Sequence, residues 1–287
     1  MFTALARGAL AAGHSWHGTI LSLHERAIYI LRGDGLAVSI VADEESMTAM
    51  SVLVPPLFDE RPGRSLSARA SFCSGSRLLV KDLAVIDLAT CPAWAGRVAS
   101  LRPLPGMKKA VRLVTQALGR YGKPGGLLGA LTSIRGSETE APHLSAARKA
   151  LASGRLERLV GLGPGLTPAG DDFLAGALLA AAICGRNRLG VLPLDAEEIK
   201  AALPGTSPAG RTLLWMALQG RFPAFLVRFA GALTARSGAD LSDAVRDACA
   251  HGESSGTDAL AGFCWMAIRA NPAGAFAPPT PSPSSAA

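Results

Sequence analysis

Gly163-Pro164-Gly165-Leu166-Thr167-Pro168-Ala169-Gly170-Asp171-Asp172 leads directly into the apolar run Phe173-Leu174-Ala175-Gly176-Ala177-Leu178. A tight loop of glycine, proline and a hydroxyl residue that hands over to a long apolar stretch marks the start of a buried helix. At such a start the first N–H groups lack intrahelical acceptors, and the positive end of the helix dipole points outward. Carboxylate and phosphate bind there with little further help. Gly163, Gly165 and Gly170 allow the backbone to take positive φ or to approach a ligand closely.

The pattern recurs downstream. Ser207-Pro208-Ala209-Gly210-Arg211-Thr212-Leu213-Leu214 echoes the segment from Thr167. Ser255-Gly256-Thr257-Asp258-Ala259-Leu260-Ala261-Gly262 is a third copy, setting Asp258 over Asp172 and Gly262 over Gly176. In the first and third copies Asp precedes Gly by four residues, so the two share one helix face. Two such helices can cross at their glycines and bring Asp172 and Asp258 near each other. One Asp at a helix start is commonly only a cap, worth about 1 kcal/mol. Asp171 and Asp172 together exceed that need, and their repulsion calls for a cation or a proton nearby. The loop is not a Walker A sequence, because no Gly-Lys-Ser/Thr follows the glycines. It is not a dinucleotide fingerprint either, since no clean parallel strand precedes Gly163.

Composition bounds the class. Of 287 residues 49% are hydrophobic and 18% charged, which sets most of the chain apart from disordered sequences. The net charge is +7, but the Arg residues are scattered without a basic run or interleaved aromatics, so nucleic acid is not the expected partner. Cysteines at 73, 91, 184, 249 and 264 form no CxxC pair, which argues against a disulfide framework or a structural zinc site. The longest apolar run, Phe173 to Cys184, falls short of the roughly 20 residues that span a bilayer. Met1 to Gly13 is apolar but lacks a convincing cleavage pattern. No membrane partner is expected, and the cytoplasm is the expected location.

An α+β architecture follows from the change of period along the chain. Residues 1–105 carry short β-rich runs: Thr19 to Leu23, Ala27 to Leu31, Leu36 to Val41, Ser51 to Val54, Ser67 to Phe72, Arg77 to Val80 and Ala84 to Leu88. Strands at such close spacing without helices between them suggest an antiparallel sheet or small barrel. Pro55-Pro56 and Pro62-Gly63 interrupt this region. Residues 106–270 suit helices over Lys108 to Gly119, Ala141 to Ser153, Asp171 to Gly185, Ala196 to Leu203, Thr212 to Gln219, Pro223 to Ala235, Leu241 to Ala250 and Thr257 to Ala270. Residues 271–287, rich in Pro, Ser and Ala, read as a disordered tail.

Gly161 to Gly176 and Ser254 to Gly262 resemble the GxGPGLTPxGDDxLxG and SSGxDxLxG stretches of a bacterial family, long listed as a domain of unknown function, that includes the AllH subunit of oxamate carbamoyltransferase. The resemblance implies carbamoyl transfer, oxalurate and phosphate giving oxamate and carbamoyl phosphate, in company with FdrA/AllF-like and AllG-like subunits. It implies that Gly163, Gly165, Thr167, Gly170, Arg211, Ser255 and Gly256 bind phosphate or a substrate carboxylate. Asp171, Asp172 or Asp258 would then accept a proton from the oxamate nitrogen, or Asp171 and Asp172 would hold Mg²⁺ against phosphate oxygens. The Ser-x-Arg-Thr phosphate loop of the usual carbamoyltransferases is not evident, so such chemistry would sit on a different architecture.

Two other classes compete with this one: a non-catalytic ligand-binding or assembly subunit, and a Mg-dependent enzyme acting on a phosphate compound. His251, beside the third copy, is either a helix C-terminal residue or an acid/base. His14, His17 and His24 show no metal spacing. Gly122-Lys123-Pro124-Gly125-Gly126 is a plain turn or a lid that carries Lys123 towards an anion.

Overall fold

The computed structural model describes residues 2–12, 14–54, 70–81, 84–98, 106–132, 141–184, 194–235 and 238–269. The expected disordered tail at 271–287, the proline breaks at 55–56 and 62–63, the start of the strand expected from Ser67 and the boundary expected near 105 lie outside the described residues.

A ten-stranded sheet comes first: β1 (Phe2–Thr3), β2 (Ala6–Gly8), β3 (Trp16–Leu23), β4 (Ala27–Arg32), β5 (Ala37–Val41), β6 (Ser51–Leu53), β7 (Ala70–Cys73), β8 (Arg77–Val80), β9 (Ala84–Asp87) and β10 (Ala93–Trp94). Its order is β1-β9-β8-β7-β3-β4-β5-β6-β2-β10. Most pairs are antiparallel, as the short connections dictate. The sheet is nevertheless mixed, because β1 with β9, β5 with β6 and β2 with β10 run parallel. The single extended segment 2–8 pairs with β9 through its first half and with β6 through its second. Ala4 N donates to Asp87 O and Leu5 N to Leu53 O, so the sheet curls, barrel-like, until both flanks meet on this segment.

Alternation along the strands decides which face is which. Ile28, Ile30, Val38, Ile40, Val52, Leu78, Val80 and Ile86 point into the curl and form its core. Their neighbours Ala27, Tyr29, Ala37 and Ser39 therefore point outward, towards the helices.

The helical part comprises α1 (Met107–Tyr121), α2 (Leu128–Thr132), α3 (Pro142–Ser153), α4 (Ala169–Cys184), α5 (Ala196–Ala202), α6 (Pro208–Leu218), α7 (Ala224–Ala235), α8 (Gly238–Ala250) and α9 (Ser255–Arg269). α4 and α9 are apolar nearly all round, the pattern of a helix enclosed by others, and together they form the centre of the second core. Phe173 and Phe263, one from each, are fully buried; Phe263 meets Phe229 edge-on at 4.9 Å.

The two helices cross at the glycines. A Cβ at Gly176 would collide with the Ala259 carbonyl oxygen, and one at Gly262 with the Phe173 carbonyl oxygen. Since Ala259 occupies in the third copy the place of Phe173 in the first, the two contacts are one contact made twice, as about a local two-fold axis. The internal repeat is thus a packing device as well as a sequence echo. α6 docks on the sheet: Met216 joins the strand core, and the Ala37 N–H donates to Thr212 Oγ1 at 2.7 Å.

Candidate functional site

The three loop-to-helix junctions meet. Ser207, which caps α6 through the Gly210 N–H (2.9 Å), donates its hydroxyl to the Leu166 carbonyl, fastening the α6 start to the loop before α4. Thr167 Oγ1 lies 3.3 Å from Ser255 Oγ, joining that loop to the start of α9. Gly163 and Gly165 hold φ of 103° and 107°, a left-handed region that an L side chain rarely takes, and this turns the loop sharply into α4. Among the described residues no hydrogen bond engages the N–H groups of Gly165, Leu166 or Thr167.

The carboxyls separate by role. Asp171 is fully buried; Oδ1 accepts the Gly161 N–H at 2.8 Å and Oδ2 accepts the Thr206 hydroxyl. Gly210 lies so close to Oδ2 that a Cβ there would strike it, so Asp171 is a clamp that binds the α6 start to the α4 loop. Burial lifts its carboxyl above the usual range against the pull of Thr206 and Gly161.

Asp258 is likewise buried and accepts the Leu127 N–H at 2.6 Å. Gly126 packs directly on it. Burial raises its pKa to about 6, opposed by the Ser254 hydroxyl and the Leu127 and Leu128 N–H groups.

Asp172 alone of the three faces open space. It lines a chamber of about 190 Å³ between β4, β5 and the helices. Thr167 donates to its Oδ2 at 3.2 Å. Burial holds its carboxyl well above the ordinary range, the Ser255 and Thr167 hydroxyls oppose this, and the nearby charges of Asp258 and Asp171 reinforce it. This favours the protonated form of Asp172, which can both donate and accept. Protonation also eases the repulsion expected of adjacent carboxylates. Asp171 and Asp172 address different partners, and no group of three potential metal ligands gathers among the described residues.

Two walls were not legible in the motif. The sheet contributes Tyr29 and Ser39, the turn before β6 adds Thr48, and the hydroxyls of Ser39 and Thr48 both contact Ser51 Oγ, at 2.8 and 2.7 Å. Burial, with Asp172 adding to it, raises the Tyr29 pKa. Strand alternation marked Tyr29 as an outward residue; nothing in it said what the outer face meets. His251 stacks on Phe225 with ring centroids 4.3 Å apart and lines the chamber mouth. Burial depresses its pKa, Asp43 opposes and Lys123 adds to the depression, so His251 is neutral at pH 7.

A wider outer chamber of about 750 Å³ continues from this mouth, bordered by Gly165, Leu166, Thr167 and Gly252 to Ser255.

The remaining candidates lie elsewhere. Arg211 does not line either chamber; its guanidinium donates to the Leu203 and Pro204 carbonyls at 3.2 and 3.4 Å. Gly170 and Gly256 press against the Leu159 and Ala248 carbonyls, which gives both a packing role. Lys123 lines neither chamber: its ammonium caps the end of α8 by donating to Ala250 O (3.0 Å) and Gly252 O (2.7 Å). Among the described residues the inner lining contains no Lys or Arg, and the single guanidinium of the outer one, Arg26, pairs with Asp43 at 3.2 Å. No described helix is long and apolar enough to cross a membrane.

Fold and site together define an α+β protein with a chamber, apolar over most of its wall and set with hydroxyls and one carboxyl, where a curled sheet meets a helical bundle. Residues 159–267 match the model of a family described as oxamate carbamoyltransferase subunit AllH, and the resemblance read from the two glycine-rich stretches is to that same family. The matched segment supplies Thr167, Asp172, His251 and Ser255 to the chamber. Comparison with curated proteins and with solved structures gave no match.

Proposed function

We propose that the chain is a subunit of an oxamate carbamoyltransferase-type enzyme, converting oxalurate and phosphate to oxamate and carbamoyl phosphate in the cytoplasm beside FdrA/AllF-like and AllG-like partners. The observation that carries this reading is the coincidence of the family match with the chamber: the segment similar to the AllH subunit is the one that places Asp172 at the chamber wall.

The chemistry suits a buried acid whose protonated form is favoured. Attack of a phosphate oxygen on the terminal ureido carbonyl breaks the C–N bond, and the departing oxamate nitrogen needs a proton. Asp172 supplies it, and in the reverse direction the Asp172 carboxylate takes it back. The unengaged amides of Gly165 to Thr167 suit the anionic end of the substrate. The lack of an unpaired cation in the described lining favours a division of labour in which a partner subunit brings the cations for phosphate.

The test is phosphate-dependent formation of carbamoyl phosphate from oxalurate by the chain co-purified with its partner subunits. Asp172→Asn is expected to lower turnover by about 10²-fold or more with assembly intact, the usual scale for a lost general acid. Unchanged turnover with weakened ligand binding would instead make the chain a binding and assembly subunit.

A further inference from the structure

The inner chamber has a mostly apolar wall in which Tyr29, Ser39, Thr48, Thr212, Ser255 and Asp172 are set, without Lys or Arg among the described residues. An anion moved there loses its hydration and gains no counter-charge, which is strongly unfavourable. An uncharged group that carries both a donor and an acceptor avoids that cost and can meet the Asp172 carboxyl and the hydroxyls beside it.

The internal repeat gives a second, independent pointer. Asp258 holds in α9 the place that Asp172 holds in α4, and the two helices pack through mutually equivalent contacts. The ligand of Asp258 is part of the chain itself: the amide N–H of Leu127, at 2.6 Å, with that of Leu128 beside it. Asp172 has the hydroxyls of Thr167 and Ser255 for partners, and among the described residues no backbone N–H reaches it. In place of such an amide, Asp172 faces the chamber.

We infer that the inner chamber takes the uncharged carboxamide or ureido end of its ligand, an N–H donating to Asp172 as Leu127 donates to Asp258, with any charged end left in the outer chamber. Asp172 is then the residue that selects –CO–NH₂ over –COO⁻. The inference deepens the proposed function in that it rests on this chamber being the substrate site, but it does not depend on which reaction follows.

Oxamate and oxalate differ by the exchange of one NH₂ for a carboxylate oxygen, and acetamide and acetate by the same exchange. Titration of the full chain with these four compounds, followed by NMR at labelled Tyr29 and Thr167, tests the proposal. Acetamide and oxamate are expected to shift these signals to saturation, oxamate at least tenfold tighter than oxalate. Asp172→Asn, which keeps a donor and an acceptor, should retain the amide response; Asp172→Leu should lose it. If Asp172→Leu does not fold, the wild-type discrimination decides by itself. Oxalate and acetate acting as well as the amides, or no response to any of the four, would overturn the inference. Amide binding in a chain whose complex shows no oxalurate phosphorolysis would overturn the reaction and leave the inference standing.

Discussion

Asp171, Asp172 and Asp258 bring the same side chain into three settings, and the partners rather than the residue type decide what each does. Asp171 gives both oxygens to donors of neighbouring loops and Asp258 gives Oδ1 to the Leu127 N–H, whereas Asp172 keeps a face towards the chamber. For Asp258 the consequence is measurable as linkage. Its folded pKa is about 6 against an ordinary value of 3.8, so between these values the folded chain holds a proton that the unfolded chain has released. Stability from this group is therefore full below pH 4 and is lost as pH rises to 6, by about 3 kcal/mol. Asp258→Asn keeps an oxygen for the Leu127 N–H and cannot ionise. Calorimetric unfolding from pH 4 to 7 should show a smaller decline for this variant than for wild type, and parallel curves would refute the assignment. Lys123 offers a contrast. Lys123→Met removes a helix C-cap and should cost stability by up to about 1 kcal/mol while leaving ligand affinity unchanged; a weakened affinity would restore the lid reading.

Among the elements, the α4–α9 crossing depends on two positions where only hydrogen fits. Gly176→Ala and Gly262→Ala each push a methyl into the facing carbonyl, and since the contacts are equivalent, similar losses of roughly 1–3 kcal/mol are expected for both. Gly231, inside α7 with nothing within 4 Å of its would-be Cβ, should behave oppositely: alanine there removes chain entropy from the unfolded state and stabilises by about 0.5–1 kcal/mol. Thermal melts of the three variants check sign and size together. The crossing was legible because the Asp-to-Gly spacing survives in both copies. Other elements were not. β1, β2 and β10 are too short to show an alternation, and the apolar residues from Met1 to Gly13 carry no period that marks them as strands. α6 begins at Pro208, before the expected Thr212, because proline suits the first helical position and Ser207 caps it; the motif's own loop residues are already helix. α2 is a five-residue turn of helix and carries no period to detect.

At the scale of the whole molecule, the chamber belongs to neither part alone. The helical segment supplies Asp172, Thr167 and Ser255, and the sheet supplies Tyr29 and Ser39 from far upstream. Local pattern fixes which face of a strand points outward, but the partner of that face is set by docking, so the sheet's share of the site could not be read beforehand. One hydrogen bond at the seam allows the docking to be tested. Thr212 Oγ1 accepts the Ala37 N–H at 2.7 Å and donates to the Pro208 carbonyl at 2.7 Å, so it ties β5 to the first turn of α6 beside the chamber. Thr212→Val preserves shape but leaves the Ala37 N–H buried without an acceptor, a loss of about 1–3 kcal/mol. In a chain of this size that amounts to a fall in Tm of several degrees. Because Ser39 follows Ala37 on the same face, the slackened seam should also raise KM more than it lowers kcat. Thr212→Ser keeps the hydroxyl and gives up only a methyl, so it should restore most of the KM while losing a little stability. If serine and valine raise KM equally, the seam is held by packing alone, and the bond between sheet and helices does not shape the chamber.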